Sequence, residues 1–241
     1  MNTPVLKTLE NNIFTITLNR PEKLNCINLD VLVQLNAALA EAETNSAIKI
    51  IILRGAGERA FSSGGDLKAF NALKPAEIAT WIKLGNQVFN RLEALPKPTI
   101  AVIQGYAYGG GAELALTCDF RIATEQATFC WPELKHGWTP GWGALGRLKR
   151  LIGEVHAKAL VFLTNTIDAQ EAFRIGLVNQ VVSLENLESA LDQMTHNLLQ
   201  LNPAVFELAK AALQDNSRTT SGSDLLYDVL ATYYSKSTGS E

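Results

Sequence analysis

The chain has 241 residues, of which 47% are hydrophobic and 19% charged, values that are ordinary for a globular protein with a buried core. With 21 basic and 24 acidic residues, the formal net charge is −3. This balance excludes a broad electrostatic attraction to nucleic acid or to an anionic membrane surface. An anionic ligand would therefore have to be held by a local basic cluster.

The three cysteines, Cys26, Cys118 and Cys130, are odd in number, and their spacing matches no zinc pattern. We expect buried free thiols and a reducing compartment. The N-terminus lacks the apolar core of a signal peptide, and the apolar run at residues 50–53 is far too short to cross a bilayer. A cytoplasmic location is the resulting prediction.

Strands and helices are predicted to alternate along the first part of the chain. Asn28 is a candidate N-cap for a helix with Leu29, Leu32, Leu35 and Leu39 along one side. The other predictions, in chain order, are a strand at residues 13–18, a buried strand at 49–53, a helix at 76–95 stopped by Pro96, a buried strand at 99–103, a helix from about residue 110 and a strand at 120–123.

This alternation over roughly 180 residues favours parallel strands with crossover connections, and thus an α/β architecture. From about residue 153 the pattern becomes mainly helical. Asp168 and Glu171 have the spacing of a capping box. Residues 178–182 suggest one last strand, and further helices are predicted at 184–214 and 223–235. The sequence leaves open whether this helical section covers its own core or a neighbouring subunit.

Two glycine-rich segments each lie between a buried strand and a helix. Gly109, Gly110 and Gly111 precede one helix, and Gly64 and Gly65 precede another. Glycine lets the backbone approach a ligand closely, and the first amides of a helix have no intrahelical partner. Two such amide sources can hold one oxygen anion. Taken alone, each cluster is also compatible with a tight turn, and neither has the spacing of a dinucleotide or phosphate loop.

Two acidic residues lie in unusual surroundings. Glu113 follows the glycines within an otherwise apolar segment, and Glu133 follows Trp131 and Pro132 in a loop. Each also has a structural interpretation, as a charge at a helix N-terminus or as a solvated loop carboxylate. Considered singly, neither residue establishes a catalytic role.

Four segments, in order, resemble the motifs of the enoyl-CoA hydratase/isomerase (crotonase) family. They cover residues 18–25, which resemble the first turn, 61–68, which resemble the F-[SA]-A-G-x-D-[LI] loop, 101–119, which resemble the glycine-rich signature, and 132–143, which resemble the P-E…P-G-x-G loop. The likeness extends from residue 5 to about residue 215.

The resemblance implies a spiral of ββα units over residues 1–182 and a helical C-terminal region over 183–241 that contributes to a trimer or a dimer of trimers. It implies that the amides of Gly65 and Gly110 form an oxyanion hole and that Glu113 and Glu133 are the catalytic acids. The residues that it predicts at the substrate are Lys23, Leu24, Ser63, Gly65, Asp66, Leu67, Lys68, Gly109, Gly110, Pro140 and Gly141. Arg20, Lys23 and Lys68 are candidates for the phosphates of coenzyme A.

The implied reaction is the addition of water to a 2-enoyl-CoA thioester, with an acyl-CoA as the partner, no metal, and no cofactor apart from the coenzyme A of the substrate. Other family activities remain open: a 3,2-enoyl-CoA isomerase that needs one acid, a decarboxylase or hydratase on carrier-protein thioesters, and a non-catalytic acyl-CoA-binding relative. Acids at both positions favour the hydratase. Nucleic acid and membrane are not expected partners.

Three tryptophans around Glu133 depart from the family pattern. Trp131, Trp138 and Trp142 either narrow the acyl pocket, stack on a planar acyl group, or serve packing or a subunit contact. His136 is a candidate extra base or a surface loop residue. Family members generally continue into one more helix beyond the equivalent of residue 241, so a missing last helix is a further expectation.

Overall fold

The computed structural model describes residues 3–214, and the helix predicted at residues 223–235 lies outside them. The strands of this part of the chain are β1 (Val5–Glu10), β2 (Ile13–Leu18), β3 (Ile50–Gly55), β4 (Ala60–Ser62), β5 (Thr99–Ile103), β6 (Tyr106–Tyr108), β7 (Phe120–Thr124), β8 (Thr128–Cys130), β9 (Ile167–Asp168) and β10 (Gln180–Val182). Every strand predicted from the sequence is present within a few residues of its expected bounds.

Helices separate most of these strands. They are α1 (Leu29–Thr44), α2 (Leu67–Asn71), α3 (Pro75–Glu93), α4 (Gly110–Ala115), α5 (Ala144–Leu163), α6 (Ala169–Arg174), α7 (Leu187–Leu199) and α8 (Pro203–Gln214), with short 3-10 helices at Pro21–Lys23, Glu133–His136 and Leu184–Asn186. No helix among residues 3–214 is long and apolar enough to cross a membrane.

The strands form two sheets that the chain visits alternately. One sheet has the order β1-β2-β3-β5-β7-β10, and the other has the order β4-β6-β8-β9. Three successive turns of the chain, which begin with β3, β5 and β7, each add a strand to the larger sheet, then one to the smaller sheet, and then at least one helix. The pairings of β3 with β5 and of β5 with β7 are parallel, which confirms the predicted spiral of ββα units.

The buried strand β5 and helix α1 could be predicted from the sequence because their buried side chains form clear apolar patterns. All five residues of β5 are buried, as expected for a parallel strand covered on both faces. Asn28 caps α1, since its side chain accepts a hydrogen bond from the N–H of Val31 at 3.0 Å. Leu32, Leu35 and Leu39 are buried, but Leu29 is 50% exposed, because it lies away from the face of the helix that these three residues define.

Helix α5 differs from the prediction. It begins at Ala144, about nine residues before the expected start of the helical section. Gly153 interrupts it with φ 75° and ψ 165°, values outside the helical region. This glycine separated two helical patterns in the sequence, so only the second pattern was recognised.

Helix α7 covers the protein's own core. Leu187 and Leu191 pack against Ile50, Ile100 and Ile122 on one face of the larger sheet. Most residues of α8 are exposed or half-buried, so the choice that the sequence left open is resolved for α7 alone. Cys26, Cys118 and Cys130 are buried free thiols, as predicted.

Candidate active site

A cavity of about 390 Å³ opens where the ends of β4, β6 and β8 meet the loop before α5. Both glycine segments and both glutamates that the sequence analysis selected line it. Gly64 and Glu133, which are 69 positions apart in the chain, thus border the same cavity. If Glu113 and Glu133 act on one substrate, they must border a common cavity, and the structure shows that they do.

The backbone around Gly65 leaves its N–H available to the cavity. The N–H of Ile27 donates to the carbonyl of Gly64 at 2.8 Å, and the N–H of Asp66 donates to the carbonyl of Ile27 at 2.8 Å. In such a parallel bridge the residue between the one that accepts and the one that donates directs its own N–H to the other side. Gly65 occupies that position and lines the cavity.

Gly110 supplies the second N–H. It is the first residue of α4, so its N–H has no acceptor within the helix. The two loops are in close contact, because a Cβ placed on Gly64 would lie 3.0 Å from the nitrogen of Gly110. Two residues with available main-chain donors, from different turns of the spiral, therefore line the same cavity.

Substitution of Gly64 tests how closely these loops must approach. Gly64 has φ +93°, and an added Cβ would lie 2.6 Å from the carbonyl oxygen of Tyr108. We expect Gly64→Ala to lower the free energy of unfolding by about 2–4 kcal/mol, from backbone strain and overpacking together. Urea unfolding measures this loss.

Gly57 provides the matched control for that measurement. It also has a positive φ, +74°, but an added Cβ would make only an ordinary contact at 3.4 Å with Pro21. Gly57→Ala is therefore expected to lose only the strain of the left-handed backbone, about 1–2 kcal/mol. Equal losses in the two variants would contradict the importance of the contact between the loops.

The backbone around the start of α5 fixes the side chain of Glu113. Its side chain is 2% exposed, and its Oε2 accepts hydrogen bonds from the N–H groups of Trp142 at 2.8 Å and Ala144 at 3.0 Å. Burial raises the pKa of Glu113, while these amide donors oppose the increase. The hydrogen bonds orient the carboxylate and leave Oε1 for other partners.

Glu133 begins the 3-10 helix Glu133–His136 and is 7% exposed. Within residues 3–214 its buried Oε2 has no hydrogen-bond partner. Burial, with a smaller contribution from the charge of Glu113, raises the pKa of Glu133 to about 7. A carboxyl group with this pKa exists in both protonation states near neutral pH, which suits a group that transfers protons.

The predicted substrate residues divide into two groups. Ser63, Gly65, Leu67, Gly109, Gly110 and Gly141 line the cavity, whereas Lys23, Leu24, Asp66, Lys68 and Pro140 do not. The second group lies on the segments that flank it, and its contact with substrate remains a prediction.

Several members of the second group have structural contacts. Asp66 pairs with Arg20 at 3.0 Å and caps α2 by accepting from the N–H of Ala69. The carbonyl of Leu24 accepts a hydrogen bond from the N–H of Ser63 at 2.9 Å. This bond supports the loop that carries Gly64 and Gly65. Lys23 and Lys68 are exposed, as a contact with phosphates would require, while Arg20 is already held by Asp66.

The aromatic part of the cavity wall was only partly anticipated. Trp138 and Trp142 line the cavity, but Trp131 does not and is fully buried. Phe70 and Trp81, from α2 and α3, also line it and were missed. The helix at residues 76–95 was predicted, but no sequence signal indicated that α3 borders a cavity.

His136 also lines the cavity. Its ring stacks on Trp138, with centroids 5.4 Å apart and an interplanar angle of 22°. The residue is exposed at the mouth rather than buried beside the glutamates. The position agrees with the surface-loop alternative for this histidine.

Comparison with known proteins agrees with the fold. Residues 8–238 match the family model described as enoyl-CoA hydratase/isomerase. The chain belongs to the enoyl-CoA hydratase/isomerase family. The resemblance found in the four sequence motifs is thereby confirmed.

Two named relatives are similar to the chain over most of their length. The short-chain-enoyl-CoA hydratase of Clostridium acetobutylicum is 40% identical over 209 residues, which are 87% of this chain and 80% of the relative. The crotonyl-CoA hydratase of Syntrophomonas wolfei is 38% identical over 210 residues, 87% of this chain and 81% of the relative.

A solved structure supports the fold independently. The enoyl-CoA hydratase from Bacillus anthracis superimposes with a TM-score of 0.91 at 33% sequence identity. The superposition covers 95% of this chain and 90% of the other. The family's spiral fold therefore accounts for nearly the whole described chain.

Proposed function

We propose that this protein catalyses the addition of water to a 2-enoyl-CoA thioester to give a 3-hydroxyacyl-CoA. The observation that carries the proposal is the convergence of two free main-chain N–H groups and two buried glutamates on one cavity. A thioester carbonyl between the N–H groups of Gly65 and Gly110 would place the adjacent double bond near both carboxyl groups.

The two glutamates have surroundings that suit different tasks. Glu113 is held by two amide donors through Oε2, which stabilise its anion and orient the free oxygen. Glu133 lacks a partner for Oε2 and has a pKa of about 7, so its protonated form is well populated. We assign water deprotonation to Glu113 and proton donation to the α-carbon to Glu133.

In this scheme one water molecule is consumed for each product molecule formed. Glu113 accepts a proton from water as the oxygen bonds to the β-carbon, and the protonated Glu133 gives a proton to the α-carbon. Transfer of the proton from Glu113 to Glu133, directly or through solvent, then restores both carboxyl groups for the next turnover. Negative charge develops on the thioester oxygen, where each amide donor is worth about 3–4 kcal/mol in related chemistry. The reaction as written needs no metal ion and no cofactor beyond the coenzyme A of the substrate.

The names of the relatives support this reaction over the other family activities. Two relatives with 38–40% identity are named as hydratases of short enoyl-CoA thioesters. Since an isomerase needs only one acid, it gives no account of the second buried glutamate.

We retain the homotrimer or dimer of trimers as a proposal. The exposed apolar side chains of Val155, Phe162 and Phe173, on α5 and α6, support a subunit contact.

The experiment is a direct assay of the purified protein with trans-2-enoyl-CoA and with 3-enoyl-CoA. We expect the absorbance of the conjugated thioester to disappear with the 2-enoyl substrate as the 3-hydroxyacyl product forms. Formation of a conjugated thioester from the 3-enoyl substrate, without hydration, would instead identify an isomerase. Absence of both reactions would overturn the proposal.

A further inference from the structure

The indole of Trp142 occupies a position between the oxyanion hole and α3. A Cβ on Gly110 would lie 2.3 Å from Cζ3 of this ring, and a Cβ on Gly85 would lie 2.1 Å from its Nε1. Both glycines are thus in direct contact with the ring. The absence of a side chain at position 85 in α3 makes the room that the indole fills.

Neighbouring groups hold this ring in place. Its centroid lies 4.8 Å from that of Trp81 and 5.1 Å from that of Phe89, and both pairs meet edge to face. The backbone is fixed as well, because the carbonyl of Trp142 accepts from Arg147 at 2.7 Å and its N–H donates to Glu113. At 3% exposure, the indole forms a rigid wall.

Trp81 completes the wall next to the other glycine of the oxyanion hole. A Cβ on Gly65 would lie 2.8 Å from Cη2 of Trp81. The two indoles therefore border the place where the acyl group leaves the thioester carbonyl. An acyl chain that extends toward α3 meets aromatic rings immediately beyond the reacting carbons.

The size of the cavity agrees with a restricted acyl group. Its volume of about 390 Å³ lies near the lower end of the range of roughly 300–1,000 Å³ for small-molecule sites. Ser63 and Leu67, which the sequence analysis predicted at the substrate, line the same space. The volume must therefore hold the thioester and the end of the coenzyme A arm in addition to the acyl group.

We propose that the Trp142 side chain, seated against Gly85, sets the upper limit of acyl length and restricts this protein to short 2-enoyl groups. The inference rests on the proposed hydration of enoyl-CoA. It assigns to Trp142 a role in specificity that is separate from the hydrogen bond that its main chain gives to Glu113.

The first test compares four-carbon and ten-carbon trans-2-enoyl-CoA with the unmodified protein. We expect kcat/KM for the four-carbon substrate to exceed that for the ten-carbon substrate by about tenfold or more, since poorly accommodated methylene groups each change selectivity substantially. Equal values for the two substrates would overturn the inference while leaving the proposed hydration intact.

The second test changes the wall itself. Trp142→Ala keeps the N–H that binds Glu113 but removes the indole, and it is expected to raise the ten-carbon to four-carbon ratio of kcat/KM by about tenfold or more. Trp142→Leu, which retains part of the apolar volume, is expected to raise it by less and serves if the alanine variant does not fold. An unchanged ratio in a folded variant contradicts the inference.

A control variant and a binding measurement separate the two proposals. Trp131→Phe alters a buried tryptophan that does not line the cavity, and its substrate ratio is expected to match that of the unmodified protein. Titration calorimetry with butyryl-CoA and decanoyl-CoA, which cannot be hydrated, reports acyl fit without catalysis. A preference for butyryl-CoA that disappears in Trp142→Ala supports the inference even if the hydratase assay fails.

Discussion

Replacing Glu133 by glutamine is expected to lower the rate of enoyl-CoA hydration by about 10²–10⁴-fold, the usual contribution of a positioned acid or base. The side chain keeps its size, so the cavity and the oxyanion hole should persist. The amide cannot donate a carboxylic acid proton to the α-carbon. The loss should appear in kcat with a short 2-enoyl-CoA, while the binding of a saturated acyl-CoA changes little.

The same substitution is expected to stabilise the protein above neutral pH. Because the pKa of Glu133 is raised from 4.5 to about 7 in the folded state, the unfolded chain binds fewer protons than the folded chain between these values. The free energy of unfolding therefore falls as the pH rises from about 4.5 to about 7. This difference in pKa corresponds to roughly 3–4 kcal/mol, which Glu133→Gln should recover at pH 8.

Chemical unfolding of the two proteins at pH 4 and pH 8 measures this gain. The variant should show a smaller loss between the two pH values than the unmodified protein. Glu125→Gln, at an exposed loop position, is the matched control, and it should alter neither turnover nor the dependence on pH. Full turnover by Glu133→Gln would remove this residue from the proposed mechanism.

Glu113→Gln is expected to reduce hydration by a similar factor, about 10²–10⁴-fold, for a different reason. The amide oxygen can still accept from the N–H groups of Trp142 and Ala144, so the loop before α5 should keep its place. The side chain can no longer take a proton from water. Single-turnover kinetics with a short 2-enoyl-CoA would locate the loss in the chemical step.

This variant also tests whether the two carboxyl groups interact. The charge of Glu113 contributes to the raised pKa of Glu133, so its removal should lower that pKa below the value of about 7. A carboxyl-carbon NMR titration of Glu133 in both proteins measures the change. If the pKa of Glu133 does not move, the two groups titrate independently and do not act as a pair.

The sequence predicted local elements where one type of pattern ran for a sufficient length. Continuous apolar runs predicted β3 and β5, and the polar cap at Asn28 with its leucines predicted α1. Strands of three residues give little periodic signal, and β4, β6 and β8 were not predicted, although β10, of the same length, was predicted within residues 178–182. Their partners lie many residues away, so only the folded chain brings them into register.

The residues of the candidate site also divide into those that the sequence predicted and those that it did not. Gly65, Gly110, Glu113 and Glu133 could be selected from motifs, because their chemistry depends on residue type and order within short segments. The aromatic wall could not be selected in this way. Trp81 reaches the cavity from a helix whose apolar spacing is that of any core-facing helix.

The sequence by itself determined the family, the alternation of strands and helices, and the main-chain donors and carboxyl groups of the candidate site. Only the tertiary structure decided that the indole of Trp142 fits against Gly85, 57 positions earlier in the chain, and that α7 covers the protein's own sheet. The physical reason is that motifs record local backbone chemistry, whereas the shape of a cavity arises from side chains of distant segments packed at close range.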